Sequence, residues 1–356
     1  MIAEQVNAGG YAPGFKLFIN GSELDPEAAY SILNLNIHQE LNKTNTFDFE
    51  VQDEFRAGMF YWLEKDLFRV ANTVSISVGY TDQLVNILNG TIKTINGSFH
   101  TGCAPTFKVE GTDKAYDTLT TPSETKVFSQ KLASDIATNI AQMSGLEPDV
   151  DPTQEVIGAK TKAGGKSYLE FLQQLAKDNN YEFFLSSRHL HFRKPGSRQA
   201  VTTLSFGQNL ISFEPQLNTT AAVSQVIVRG WDSKAKQQIE GQATTGSEVS
   251  QESGKQTSSQ MAKSLFGDVV KVITDRPVRS VDQAKSIAQS EMDKAGNSLL
   301  KATLETVGMP DLIPGVYINI DGFGTLFSGK YYIIQATHAI STEGYRTSLN
   351  VQKNTL

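Results

Sequence analysis

Residues 310–351, PDLIPGVYINIDGFGTLFSGKYYIIQATHAISTEGYRTSLNV, decide the fold. Three runs of β-branched and aromatic residues are separated by Gly-bearing turns. Val316, Ile318 and Ile320 fall on alternate positions, as do Tyr345, Thr347, Leu349 and Val351, so each set lines one face of a strand. Gly322, Gly324, Gly329 and Gly344 sit between the runs, where a tight reversal calls for a positive φ that only glycine takes without strain. The stretch predicts an antiparallel meander that closes a small barrel.

Upstream, the same period of two recurs at 15–19, which ends in the hairpin pair Asn20-Gly21, and at 32–37, 46–51, 73–78, 84–95 and 106–110. Phe47, Phe49 and Val51 alternate with Asp48 and Glu50, giving each strand one wet face. Met59, Leu63 and Leu67 predict a helix over 55–70. Residues 1–113 therefore read as a first β-barrel domain. At Lys114 the period shifts toward four, and 114–200 reads as an α/β domain. Leu132, Ile136, Ile140 and Met143 stripe a helix capped by Ser129 and stopped near Gly145. Ser167-Tyr168-Leu169-Glu170 has the spacing of a capping box and opens a second helix, followed by strands at 181–185 and 189–192.

From 201 to 356 the period of two returns, in a second β-barrel domain. It begins with a strand pair over 204–213 and a strand over 226–232. Residues 241–260, GQATTGSEVSQESGKQTSSQ, are too poor in apolar side chains to offset ordering entropy and read as a flexible loop. After a strand at 269–274, a helix over 280–298 is capped by Ser280 with Gln283 and buries Val281, Ala284, Ala288, Met292 and Ala295. The fold class is α+β, mainly β: two small antiparallel β-barrel domains with an α/β domain between or beside them.

Composition narrows the functions. With 39% hydrophobic residues a sizeable core is available, and a net charge of −6 supplies no basic field for a nucleic-acid backbone. One cysteine, Cys103, excludes an intrachain disulfide and every multi-cysteine zinc motif. The first residues lack a basic and apolar leader, and no apolar run approaches the ~20 residues of a membrane helix, so synthesis in the cytoplasm without a signal peptide is expected.

Several phrases are similar to a known family. Phe327-Ser328-Gly329-Lys330-Tyr331-Tyr332-Ile333-Ile334, Thr337-His338-Ala339-Ile340-Ser341 and Gly344-Tyr345-Arg346-Thr347 resemble the C-terminal signature of the phage late control protein D family. These are tail or baseplate hub proteins of contractile injection particles, akin to the N-terminal part of type VI valine-glycine repeat spike proteins. SYLEFLQQLAKDNNYEFF at 167–184 with His189-Leu190-His191-Phe192, Gly230-Trp231-Asp232 and Asp275-Arg276-Pro277-Val278 look like the same family. Gly90-Thr91-Ile92 and Val109-Glu110-Gly111-Thr112-Asp113 look like its first barrel.

The resemblance implies a structural, non-enzymatic tail hub and virion component. Three copies form a homotrimer, and two barrels in each give six around a pore, so the trimer meets a sixfold inner tube on one side and a threefold spike on the other. Its partners are then the inner tube protein, a spike on a separate chain and other baseplate proteins, in a phage tail or an extracellular tail-like particle. Gly230, Trp231, Asp232, Gly329, Tyr331, Tyr332, His338 and Gly344 are its structural motif positions. No catalytic residue, cofactor or metal is implied.

Other chemistry weighs less. Ala163-Gly164-Gly165-Lys166-Ser167 suggests a phosphate loop, but the glycine required five residues before Gly165 is Lys160. His189 and His191 share a strand face without a third ligand nearby in sequence, while His38 and His100 stand alone. His338 reads as a satisfied polar group, because no nucleophile or carboxylate is placed against it. Trp231, Tyr331 and Tyr332 offer stacking faces to a sugar, which keeps a secreted carbohydrate or cell-wall binding module as the alternative. A wall hydrolase would need convergent carboxylates, and none are evident.

Overall fold

The computed structural model describes residues 12–356 apart from 82, 187, 197–198, 233–235, 247–253, 277 and 279. The first unit is built from β1 (Pro13–Ile19), β2 (Ile32–Glu40), β3 (Thr46–Gln52), β4 (Thr73–Tyr80), β5 (Gln83–Ser98) and β6 (Thr106–Asp113). Its alternation is as predicted: Phe47, Phe49 and Val51 are buried and the residues between them are not. Asn20 and Gly21 both take positive φ in the turn after β1.

The helix predicted over 55–70 does not form. Ala57 and Gly58 take positive φ and turn a small hairpin of Phe55–Arg56 with Met59–Phe60, after which Tyr61–Glu64 and Asp66–Phe68 are single turns. The buried Asp53 carboxylate explains the break. It accepts from the amides of Glu54, Trp62 and Leu63 at 2.7, 2.8 and 3.2 Å, which folds the segment back over the core.

The α/β module follows as β7 (Lys126–Leu132), α1 (Ala133–Met143), β8 (Glu147–Val150), β9 (Val156–Lys162), α2 (Tyr168–Asn179), β10 (Glu182–Ser186) and β11 (His189–Arg193). Ser167 and Glu170 form the predicted capping box on α2. Ser129 does not cap α1, because it is held in β7 opposite Ala159 of β9. The helix starts after Leu132, whose amide donates to Asp135, and it buries Ile136 and Ile140 but leaves Met143 half exposed.

The last unit holds β12 (Ala200–Ser205), β13 (Leu210–Leu217), β14 (Gln225–Asp232), β15 (Gln237–Ala243), α3 (Ser258–Phe266), β16 (Val270–Ile273), α4 (Val281–Asn297), β17 (Leu300–Val307), β18 (Tyr317–Asp321), β19 (Gly329–Ser341) and β20 (Gly344–Lys353). The two strands within 200–217 are not each other's partners: β12 runs parallel to β18, and β13 antiparallel to β17. The segment expected as a loop over 241–260 starts inside β15 and ends inside α3. Thr257 and Gln260 cap that helix reciprocally, a local hydrogen-bond gain that a count of apolar residues does not see. Residues 247–253 of that loop lie outside the described residues. Ser280 caps α4 through Gln283, and Ala284, Ala288 and Met292 are buried, whereas Val281 is exposed.

The two β units are one sheet. Strands run in the order β13-β17-β20-β19-β2-β3-β6-β5-β4-β1, with β12 and β18 branching from β19. The seam is the antiparallel pairing of β19 with β2, where His338 faces Ile37. Each side of the seam keeps its own core, yet Ile340 and Tyr345 at the tip of the β19–β20 hairpin belong to the first core while Ile333, Ala336, Leu349 and Val351 in its stem belong to the second. The meander over 310–351 therefore spans both. A separate sheet, β15-β14-β16, packs one face on α4.

Candidate functional site

For a chain whose predicted motif residues are architectural, the candidate site is the pair of joints that fix the arrangement of its units. The first lies at the β2–β19 seam. His338 is buried, with Nδ1 placed 2.8 Å from the Tyr345 hydroxyl and 3.2 Å from Thr347 Oγ1, which also accepts from the Met309 amide at 3.0 Å. Its Nε2 makes no hydrogen bond of normal geometry among the described residues, with the Leu312 backbone as its polar neighbour. Burial lowers its pKa to about 4, opposed in part by the Leu312 backbone, so the ring is neutral at physiological pH. On the solvent side of the same seam His38 bridges Asp48 at 3.0 Å and Thr337 at 3.2 Å.

The second joint fastens the α/β module. Arg193 Nε donates to Glu182 at 2.6 Å and its Nη2 to the Gly315 carbonyl at 2.7 Å, with Phe184 stacked under the guanidinium. The Tyr332 hydroxyl from β19 donates to the other Glu182 oxygen. Burial works against the charge on Arg193, but Glu182 outweighs it and raises the pKa; burial with Glu182 nearby drives the Tyr332 pKa up as well. Gly315 has φ +89°, and a Cβ there would meet Arg193 and Phe184 at 2.8 Å, so glycine is what lets the carbonyl approach. Asn42, in the turn after β2, completes the joint: its amide donates to the Phe183 carbonyl at 2.8 Å and its side chain accepts from the Phe183 amide at 3.0 Å.

The motif positions scatter over these features. Tyr332 and His338 belong to the joints. Tyr331 is fully buried and donates to the Phe327 carbonyl at 2.6 Å. Gly329 and Gly344 have positive φ, at the start of β19 and at the hairpin into β20. Gly230 lies in β14 where a Cβ would strike Val278 at 2.0 Å. Trp231 is 62% exposed, on the side of its sheet away from α4. Asp232 ends β14, and its side chain lies outside the described residues. Burial of both tyrosines removes them as a sugar platform and leaves Trp231.

Two sequence candidates acquire surroundings that explain them. The loop at 163–167 turns carbonyls inward, and the buried Lys162 Nζ fills it, donating to Ser123, Ala163 and Lys166 oxygens at 3.0, 3.3 and 2.9 Å. That polarity is the reverse of what a phosphate needs. The parallel pairing of β8 with β11 brings Asp149 to His191, a contact no sequence spacing announces. His191 sits 2.6 Å from Asp149 and 2.7 Å from Ser186, so both ring nitrogens are engaged, and burial lowers its pKa despite Asp149. Among the described residues no group of three or more His, Cys, Asp or Glu is arranged for a metal. The cavity beside Ser186, about 10 Å³, has room for one water rather than an acyl substrate.

Solved structures share this architecture. The 43 kDa tail protein of prophage MuSo2 from Shewanella oneidensis superposes with a TM-score of 0.73 at 14% identity, over 96% of this chain and 98% of that one. A tail protein from Neisseria meningitidis gives 0.68 at 12% identity, over 96% and 97%. The E. coli c3393 protein, described as a type VI secretion component with structural similarity to the bacteriophage tail proteins gp27 and gp5, gives 0.58 at 9% identity, over 95% and 76%. The chain has the fold of phage tail proteins, as its motifs predicted. Residues 11–342 match the family described as Alg8 N-terminal domain, and the chain belongs to that family. Among curated proteins none matches by sequence.

Proposed function

We propose that the protein is a tail or baseplate hub of a contractile injection particle, with a mechanical and non-enzymatic role. Three copies form a ring, in which the two β units of each subunit act as near-equivalent halves of a sixfold collar. One side of the collar seats the first ring of an inner tube protein, and the other carries a threefold spike. The observation that carries this reading is the continuous sheet across β2 and β19, which holds two separately cored β units in fixed register within one subunit. Such a subunit transmits load through hydrogen-bonded backbone rather than through a hinge. The open face of β15-β14-β16, with Trp231, Val270 and Val272 exposed, supports burial against a further surface in the assembly. The fold shared with tail proteins supports the particle class.

Light scattering on the purified chain tests the reading. The expected result is a species three times the 38.9 kDa chain mass, and co-purification with a tube protein when the two are expressed together. A monomer at every concentration overturns it.

A further inference from the structure

Among the described residues, strand β9 is hydrogen-bonded on one side only, to β7. Two adjoining cavities, of about 600 and 470 Å³, run along its other side. Between them they touch every residue from Val156 to Lys162, and none of β7. Since side chains of a strand alternate between its faces, contact with consecutive residues means that the trench follows the backbone edge itself. Its far wall is α2, with Gln174 and Lys177, and α4, with Gln283, Ser286 and Ser290. The two helices are tied at one end by Asn180 donating to Asp293 at 2.6 Å.

Exposed strand edges are commonly blocked by proline or by lysines that overhang them. Proline is absent from the seven residues of β9. One lysine overhangs the edge: Lys160 reaches across the trench to Asp178 of α2 at 2.5 Å, a part-exposed pair of the kind that contributes little and that an incoming strand displaces. Lys162 is committed to the carbonyls of the 163–167 loop. Charge in the trench is the opposite of the charge of the chain. Lys166 and Lys177 line it without an ion-pair partner among the described residues; of its acids Asp178 is paired with Lys160 and Glu170 is held in the α2 cap, which leaves the exposed Glu155 at one end as the acid without such a partner among the described residues.

We propose that the free edge of β9 is a strand-addition site for an extended, net-acidic peptide segment of a partner protein. The partner segment pairs antiparallel or parallel with about seven residues, a span of roughly 20 Å, through main-chain hydrogen bonds. Its acidic side chains meet Lys166 and Lys177, and its small or polar ones meet the serines and glutamines of α4 and α2. This role is separate from ring formation and stands whether or not the chain trimerises.

The probes are a capped heptapeptide alternating Val and Glu, its Val and Lys counterpart, a Val and Glu peptide N-methylated at every second residue, and a seven-nucleotide oligo-dT. Calorimetry on the full chain is expected to show the acidic peptide binding at least about tenfold tighter than the basic one, with salt weakening it. Amide exchange across 156–162 should slow on binding. Lys177→Glu should weaken binding by about tenfold, and N-methylation should abolish it. Equal binding of the two peptides, unchanged exchange in β9, indifference to N-methylation, or tighter binding of oligo-dT each overturns the proposal.

Discussion

The two joints of the chain solve the same problem with opposite chemistry. The seam of β2 with β19 is a row of backbone hydrogen bonds over alternating apolar side chains, with the neutral His338 buried against the Tyr345 hydroxyl. The joint of the α/β module to β19 is made by the Tyr332 hydroxyl and the Gly315 carbonyl meeting an ion pair, Glu182 with Arg193, that is buried at the module's edge. A backbone ladder loses little when a single side chain changes. A buried ion pair is all or nothing, since each charge left without its partner keeps its full desolvation cost. The fold should therefore be tolerant at its seam and brittle where the module attaches.

Removing one charge from the brittle joint has the largest expected effect. Glu182→Gln leaves Arg193 buried without a counter-charge and should cost about 3–5 kcal/mol in urea unfolding. Replacing both, Glu182→Gln with Arg193→Met, should recover a large part of that loss. If the single variant costs no more than the pair, the ion pair is not what holds the module and the contrast fails.

The seam can be stressed through pH instead. The His338 pKa is depressed in the fold, to about 4 from an ordinary 6.5. Its contribution is therefore complete above pH 6.5 and is lost as pH falls through 4, about 3 kcal/mol in all by linkage. Asp113 acts in the other sense. Burial raises its pKa to about 6, so its contribution is complete below 3.8 and lost as pH rises through 6. The two limbs overlap, and His191, whose pKa burial also lowers, adds a limb of the same sign as His338, so the His338 limb is read as a difference in an Asp113→Asn background that keeps His191. There, His338→Gln should flatten the loss of denaturation midpoint between pH 6.5 and 4; an unchanged acid limb would remove His338 as the weak point of the seam.

The same contrast decides what could be read from the sequence. The strands of the meander were legible because alternation in 316–320 and 345–351 is local and period two leaves a one-dimensional trace, as do the glycines at the turns, but the pairing of β19 with β2 that joins the two units was not. The Ser167 and Ser280 caps were legible for the same reason, being three-residue patterns. Glu182 and Tyr332 lie 150 residues apart and Arg193 and Gly315 lie 122 apart, so no spacing rule joins them. Tyr332 was singled out by its motif without its partner. Asp53 defeated the helix expected over 55–70 through amides nine and ten residues away, and β9 defeated the cap expected of Ser129 by pairing with its strand. In each case a tertiary hydrogen bond overrode a correct local preference.

Close approach of α4 to its sheet provides an effect of intermediate size. A Cβ at Gly241 would meet the helix backbone at Ala284 and Lys285 at 2.3 Å, whereas at Gly230 it would meet the side chain of Val278. Backbone yields less readily than a valine rotamer. Both alanine variants should destabilise by about 1–3 kcal/mol, Gly241→Ala more than Gly230→Ala. The reverse order would place the tight contact at the motif glycine instead.

The smallest effect is the most discriminating. Ser167 caps α2, and α2 carries Gln173, which donates to the Asn42 carbonyl at 2.6 Å and so touches the first unit from the module side. Ser167→Ala removes one acceptor at the helix start and should lower stability by about 1 kcal/mol. Because the cap acts only on the first turn, amide exchange should quicken at the start of α2, while the amides of β2 and β19 keep their protection. If exchange rises equally at β19, then loosening the module loosens the seam as well. The two joints would then form one cooperative unit, and the brittleness argued for the ion pair would belong to the whole subunit.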